Sequence, residues 1–202
     1  MSNNLSAEAE HVLATANFPL RNRSFEKLTA YRNETRRSIA PAVERVLKMF
    51  EASIETRDIS GVSCLWVKPS QIKVDWKILY GYGGGYVSGS PFEDLTIAVP
   101  LAAETGAEVV IPHYRLAPES PWPAAIDDGF SVFKEMSSEP LALVGESAGG
   151  NLCLTLILRA FQLGIRLPQA AAFLSPWCDL SNAGPSVVNN DGRDPALSAQ
   201  HI

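Results

Sequence analysis

The sequence is short of cysteine and histidine and has no dense run of one charge. Its 202 residues contain three cysteines and three histidines. Cys64, Cys153 and Cys178 are too few and too scattered for a disulfide framework or a zinc site. Cys153 and Cys178 lie in apolar sequence, where a buried thiol is the default. No metal and no cofactor are expected. Lys and Arg number 17 against 22 Asp and Glu, a net charge of -5 with no basic cluster, which argues against a nucleic-acid footprint or a polybasic membrane patch. No apolar run is long enough to span a bilayer. The opening stretch MSNNLSAEAEHVLATANF has neither the basic nor the apolar region of a secretory signal, so the expected location is cytoplasmic.

What is present is the composition of a globular domain. With 46% hydrophobic and 19% charged residues the chain can bury a core, as one domain with a small appendage. Residues 1–57 carry Arg, Glu and Ala at helical spacing, and Val43, Val46, Leu47 and Phe50 fall on one stripe that must cover something. From Val62 onward short β-rich runs take over: VSCLWVK, KILYGY, EVVIPHY, LALVGE and AAAFLSPW. Helical stretches separate them near residues 94–106, 123–138 and 148–163, the last stopped by Gly164. Strands alternating with helices predict an α/β domain, residues 58–202, with a mostly parallel sheet covered on both faces, preceded by a helical segment at 1–57. The helix after Ser147 is apolar almost all round and is expected to be sandwiched.

Two constellations carry chemistry. The first is LALVGESAGGNL, residues 141–152, a G-x-S-x-G pattern between an apolar strand and an apolar helix. In such an elbow the serine sits on a sharp strand-to-helix turn with its hydroxyl exposed above the sheet, and the helix N-terminus presents unpaired N–H groups behind it. The pattern alone is weak, since chance supplies it about 0.07 times in a chain of this length. The flanking strand and helix are the context it requires. The second is LYGYGGGYVSG, residues 79–89, a strand that ends in three consecutive glycines and so exposes a row of backbone N–H groups. A dinucleotide loop fails on spacing, because the third glycine of G-x-G-x-x-G would fall on Tyr86 or Ser88, and no G-x-x-x-x-G-K-[ST] occurs. One wall of an oxyanion hole and a purely structural glycine turn remain.

LYGYGGGY, HYRLAPESPWPAAIDDG, LVGESAGGNL and FLSPWCDLS, in this order, resemble the hormone-sensitive-lipase-like family of α/β-hydrolases over roughly residues 60–198. The resemblance implies a three-layer α/β/α fold, carboxylesterase activity on mostly short-chain esters, and a small-molecule ester as the partner. It implies Ser147 as nucleophile, the N–H groups of Gly84, Gly85 and Ala148 as oxyanion hole, and the N-terminal helices as part of a cap. Arg115 and Glu119 read as loop-ordering scaffold. One departure stands out: the family's glycine triplet follows a histidine, whereas Tyr82 stands here, with His113 as its expected partner.

A serine hydroxyl needs a histidine base, and the histidine needs an acid, in the chain order Ser, Asp or Glu, His. The resemblance places both after strands that this sequence does not reach, so about a third of a usual member is expected to be absent, catalytic acid and histidine included. His11 and His113 precede the serine. His201 follows it, with Asp179, Asp191 and Asp194 between, but a penultimate residue is poorly placed to be held as a base. Removing triad partners typically costs about 10⁶ in turnover. Lost strands would also leave an apolar edge near AAAFLSPW open to self-association into a homo-oligomer. The alternative is a catalytically silent module that binds a small apolar ligand or a protein.

Overall fold

A computed structural model describes residues 27–191 together with Ser6, Ala7, His11 and Arg193. Asp194, His201 and the helical segment expected before residue 27 lie outside the described residues, Ser6, Ala7 and His11 excepted. The chain divides into two compact units, Phe25–Leu180 and Met1–Ser24 with Ser181–Ile202. The first is an α/β domain, in the order α1 (Leu28–Met49), β1 (Ser53–Ile59), β2 (Val62–Lys68), β3 (Lys77–Gly81), α2 (Leu95–Thr105), β4 (Glu108–Pro112), α3 (Ala124–Met136), β5 (Leu141–Glu146), α4 (Ser147–Leu163) and β6 (Ala170–Leu174). In the second unit one short helix is described, α5 (Pro185–Asn189).

The six strands form one sheet in the order β1-β2-β4-β3-β5-β6. β1 and β2 are antiparallel, as are β2 and β4, whereas β4, β3, β5 and β6 run parallel. In β4, Val109, Val110 and Ile111 are all fully buried. Consecutive strand residues point to opposite faces, so both faces are covered there. α2 packs with α1, and α3 packs with α4. The expected stripe of α1 is in place: Val43 is buried, and Val46, Leu47 and Phe50 pack against the core.

Three expectations need correction. β1 falls within the stretch expected to be helical, and the boundary expected after residue 57 lies inside it. Its sequence, SIETRDI, has few apolar residues because it is an exposed edge strand. The Ser60-Gly61 turn that joins it to β2, with φ of +53° and +82°, was the available hairpin signal. Second, α4 is only partly enclosed: Leu152 and Leu156 are buried, but Leu158 and Phe161 are 63% and 72% exposed. Third, Cys64 and Cys153 are buried, and burial pushes both thiols up to about 12, whereas Cys178 is exposed. Among the described residues no group of His, Cys, Asp and Glu is arranged to hold a metal, and no helix is long and apolar enough to cross a membrane.

Candidate active site

Ser147 follows β5 directly and opens α4 at φ +50°, in the left-handed region. A non-glycine residue there is strained, and only surroundings that fix the turn from several sides can hold it. Glycines make that possible. A Cβ at Gly145 would run into the backbone of Gly149 and Gly150, and one at Gly149 into the carbonyls of Gly81 and Tyr82. α4 therefore starts in direct backbone contact with the end of β3. On the other side Trp177 N–H donates to the Ser147 carbonyl at 3.0 Å, and a Cβ at Gly150 would come within 2.7 Å of Pro176. The turn is thus wedged between the loop after β3 and the loop after β6. The Ser147 side chain is half-buried, and its hydroxyl makes no hydrogen bond to a described residue.

The triple-glycine segment runs alongside. A Cβ at Gly83 would lie 3.3 Å from Ser147 Cβ and would collide with the Glu146 carboxylate. Gly84, Gly85 and Tyr86 follow with φ of +118°, +63° and +60°. Among the described residues the Gly84 and Gly85 amides donate to no protein acceptor, and Ala148 is in the first turn of α4, where N–H groups have no intrahelical partner. The structure therefore brings the four residues singled out from the sequence into one neighbourhood.

The hydrogen bonding of Tyr82 differs from expectation. Its ring stacks on Tyr114 with centroids 4.1 Å apart and planes 4° from parallel. Tyr82 O–H donates to the Tyr114 carbonyl at 3.1 Å, and Tyr114 O–H donates to the Tyr82 carbonyl at 2.6 Å. His113, next to Tyr114, is exposed and takes no part. Both residues follow the end of β4, and the one that reaches Tyr82 is the buried Tyr114 rather than its exposed neighbour. Arg115 and Glu119 are loop-ordering residues: Arg115 forks onto Asp128, with Nη2 2.7 Å from Oδ1, and Glu119 accepts from Arg32.

The acidic side chains behind the loop are unusual. Asp94, just before α2, accepts from Tyr80 O–H at 2.9 Å and from Gly83 N–H at 3.4 Å. Burial raises its pKa, against the pull of those two bonds. Glu146, beside Ser147, is raised to about 7 by burial and then by the Asp94 charge. The sequence reading missed Arg32, Asp94 and the Tyr86–Asn151 contact, in which Tyr86 O–H donates to Asn151 Oδ1 at 2.8 Å. Arg32 and the Tyr86–Asn151 contact join segments 55 to 87 residues apart, Asp94 reaches back only 11 to 14 residues, and no local pattern announces any of them.

Comparison with known proteins gives the family and the fold. A family profile described as alpha/beta hydrolase fold matches residues 78–202. The chain is 35% identical over 142 residues to an acetyl-hydrolase of Streptomyces hygroscopicus, covering 68% of this chain and 47% of that protein. It is 34% identical over 143 residues to human hormone-sensitive lipase, covering 66% of this chain and 13% of the lipase. Among solved structures, EstE5 superposes with a TM-score of 0.81 at 25% identity, covering 96% of this chain and 64% of EstE5. An esterase from the bacterial hormone-sensitive lipase family gives 0.69 at 27% identity, covering 89% and 66%. The chain spans about half the length of three bacterial relatives, 47%, 45% and 57%, and a smaller share of the human lipase.

Proposed function

The chain belongs to the α/β-hydrolase family, among its hormone-sensitive-lipase-like esterases, and from that premise we propose that it acts as a serine hydrolase on carboxylic esters of short acyl chains. Ser147 Oγ attacks the ester carbonyl carbon while its proton passes to a general base. The carbonyl oxygen becomes an oxyanion that receives the N–H groups of Gly84, Gly85 and Ala148. Collapse of the intermediate expels the alcohol, which takes that proton back from the base, and leaves an acyl-serine, which water hydrolyses by the same route. α1 forms part of the cap over the acyl pocket.

One observation carries this reading: a serine at φ +50° beside a glycine loop whose Gly84 and Gly85 amides are without protein acceptors among the described residues. Donors without a protein acceptor are suited to a charge that exists only transiently. No histidine among the described residues hydrogen-bonds Ser147. That same observation favours a second reading, a catalytically silent module that holds a small apolar ligand or a protein at this site.

A fluorophosphonate probe separates the two, because it reacts only with an activated serine. Labelling of the protein that disappears in Ser147→Ala, together with hydrolysis of p-nitrophenyl acetate, is the expected result. A wild-type protein that neither labels nor hydrolyses leaves the silent module standing.

A further inference from the structure

We infer that Arg32 is a positioning residue for the oxyanion loop, so that α1 holds the amides of Gly84 and Gly85 in place through a single guanidinium. The inference rests on the esterase reading for what those amides do, but the clamp itself is a matter of geometry. Arg32 Nε donates to the Val87 carbonyl at 2.8 Å, and Nη2 donates to the Ala117 carbonyl at 2.9 Å. Nη1 and Nη2 also donate to the two carboxylate oxygens of Glu119, at 2.8 and 3.0 Å. Ala117 N–H donates to the Tyr86 carbonyl at 2.9 Å. One side chain from the N-terminal helix thus joins the glycine loop to the loop after β4, and a backbone bond between the two loops closes the ring.

The glycine loop needs such an external tie. Three successive residues with positive φ cannot belong to a strand or a helix, so no regular ladder holds them. Inside the loop, Val87 N–H, Ser88 N–H and Ser88 O–H all converge on the Gly84 carbonyl, at 3.2, 2.9 and 2.9 Å. These bonds set the curl of the turn but not its orientation against Ser147. The direction of the Gly84 and Gly85 N–H bonds follows from the peptide planes of that curl. Pinning the carbonyls of Tyr86 and Val87 fixes how those planes are presented.

Arginine is the residue suited to this task. Its planar fork meets a carboxylate with two parallel bonds and still has donors for two carbonyls, whereas a lysine ammonium is a point charge on a flexible stem. The Arg32 side chain is 23% exposed, so the bonds are partly shielded from water. The Glu119 carboxyl is held below its usual pKa by the Arg32 hydrogen bonds.

The test uses the whole chain with Arg32→Met, Arg32→Lys and Glu119→Gln, followed by amide hydrogen exchange and by ester turnover. Loss of the fork is expected to speed exchange at Val87, Ser88 and Ala117 about tenfold in Arg32→Met, the factor a lost charge-assisted hydrogen bond gives to a local opening. Arg32→Lys should resemble Arg32→Met, and Glu119→Gln should show a smaller rise at the same amides. In turnover, kcat should fall by about 10²-fold or more with KM held, as for a misdirected oxyanion donor. Unchanged exchange at the three amides overturns the inference. So does a rise shared equally by β3 and β5, which marks a general stability residue, or an unchanged kcat. If Arg32→Met does not fold, Glu119→Gln decides, since its exposed carboxylate is dispensable to the core. A wild-type protein without activity defeats the esterase reading, and the exchange measurement then decides the clamp alone.

Discussion

β5 is flanked by two parallel strands that end in very different surroundings. On one side β3 is buried along almost its whole length, and the loop that follows it is locked by the Tyr82–Tyr114 pair, by Tyr86 on Asn151 and by Arg32. On the other side β6 has a comparably apolar sequence, AAAFL, yet four of its five residues are exposed, and beside it α4 turns Leu158, Phe161 and Leu163 outward. An apolar strand does not bury itself; its neighbours bury it. The residues of the proposed chemistry sit on the finished flank, where strain can be held, and the open flank carries none of them.

The largest effect should come from the finished flank. Gly149→Ala places a Cβ against the carbonyls of Gly81 and Tyr82, both backbone atoms with no room to retreat. The expected loss is about 4 kcal/mol or more, or failure to fold, read from urea unfolding. Gly164→Ala, at the far end of α4, meets nothing within 4 Å and violates only the φ of +66°, so it should cost about 1 kcal/mol. Similar costs at the two sites would mean that the backbone contact at the elbow is not tight.

A second contrast compares two leucines. Leu143, fully buried in β5, should lose about 3 kcal/mol on truncation to alanine. Leu174, 44% exposed at the end of β6, should lose less than about 1 kcal/mol. Equal losses would show that β6 is covered in solution. A smaller effect should follow from Tyr82→Phe, which keeps the stacked ring and removes the hydroxyl that serves the Tyr114 carbonyl. The expected cost is about 1–2 kcal/mol, because a buried acceptor is left without its donor.

These contrasts mark what the sequence makes legible. β2 and β5 agree with their sequence runs residue for residue, and Gly106 and Gly164 end α2 and α4 in the left-handed conformation expected of helix stops. Such features are local: alternation, apolar runs and turn chemistry act over a few residues. Ser147 and the glycine triplet were legible for the same reason. β1 was obscured because an exposed edge strand carries charges at helix-like spacing. Arg32 was invisible because its partners lie 55 to 87 residues away and nothing in its own neighbourhood distinguishes it from the other α1 arginines. Tyr114 rather than His113 reaches Tyr82 because the chain beyond β4 buries the first and exposes the second, a detail that requires the path of the loop after β4.

The acids behind the glycine loop sharpen the comparison by pH. Glu146 titrates near 7 in the fold, above its ordinary 4.5, because burial and the Asp94 charge disfavour the ionised form. The folded state therefore keeps this proton over a window in which the unfolded chain has lost it. That contribution to stability is full below about 4.5 and is lost as pH rises to about 7. Glu146→Gln cannot ionise and should escape the decline, so the Tm difference between variant and wild type should move in favour of the variant from pH 5 to pH 8. Parallel Tm profiles would place Glu146 in contact with bulk water. Asp94, also raised by burial, stays in the variant and leaves some slope at lower pH.

The smallest effect on stability belongs to the open flank and tests what that flank is for. Phe161 is 72% exposed on α4, so Phe161→Ser removes almost no buried surface and should change Tm little. Apolar side chains beside an unpaired strand edge nevertheless favour contact with another such surface, through ladder bonds along β6 and through burial of the α4 face. The wild-type chain should therefore associate with itself as concentration rises, and sedimentation should show that Phe161→Ser weakens this at unchanged Tm. A wild-type chain that stays monomeric at every concentration would rule out self-association through this flank. An association that survives the substitution would move the contact elsewhere, away from the face on which β6 and α4 differ most from the guarded loop across β5.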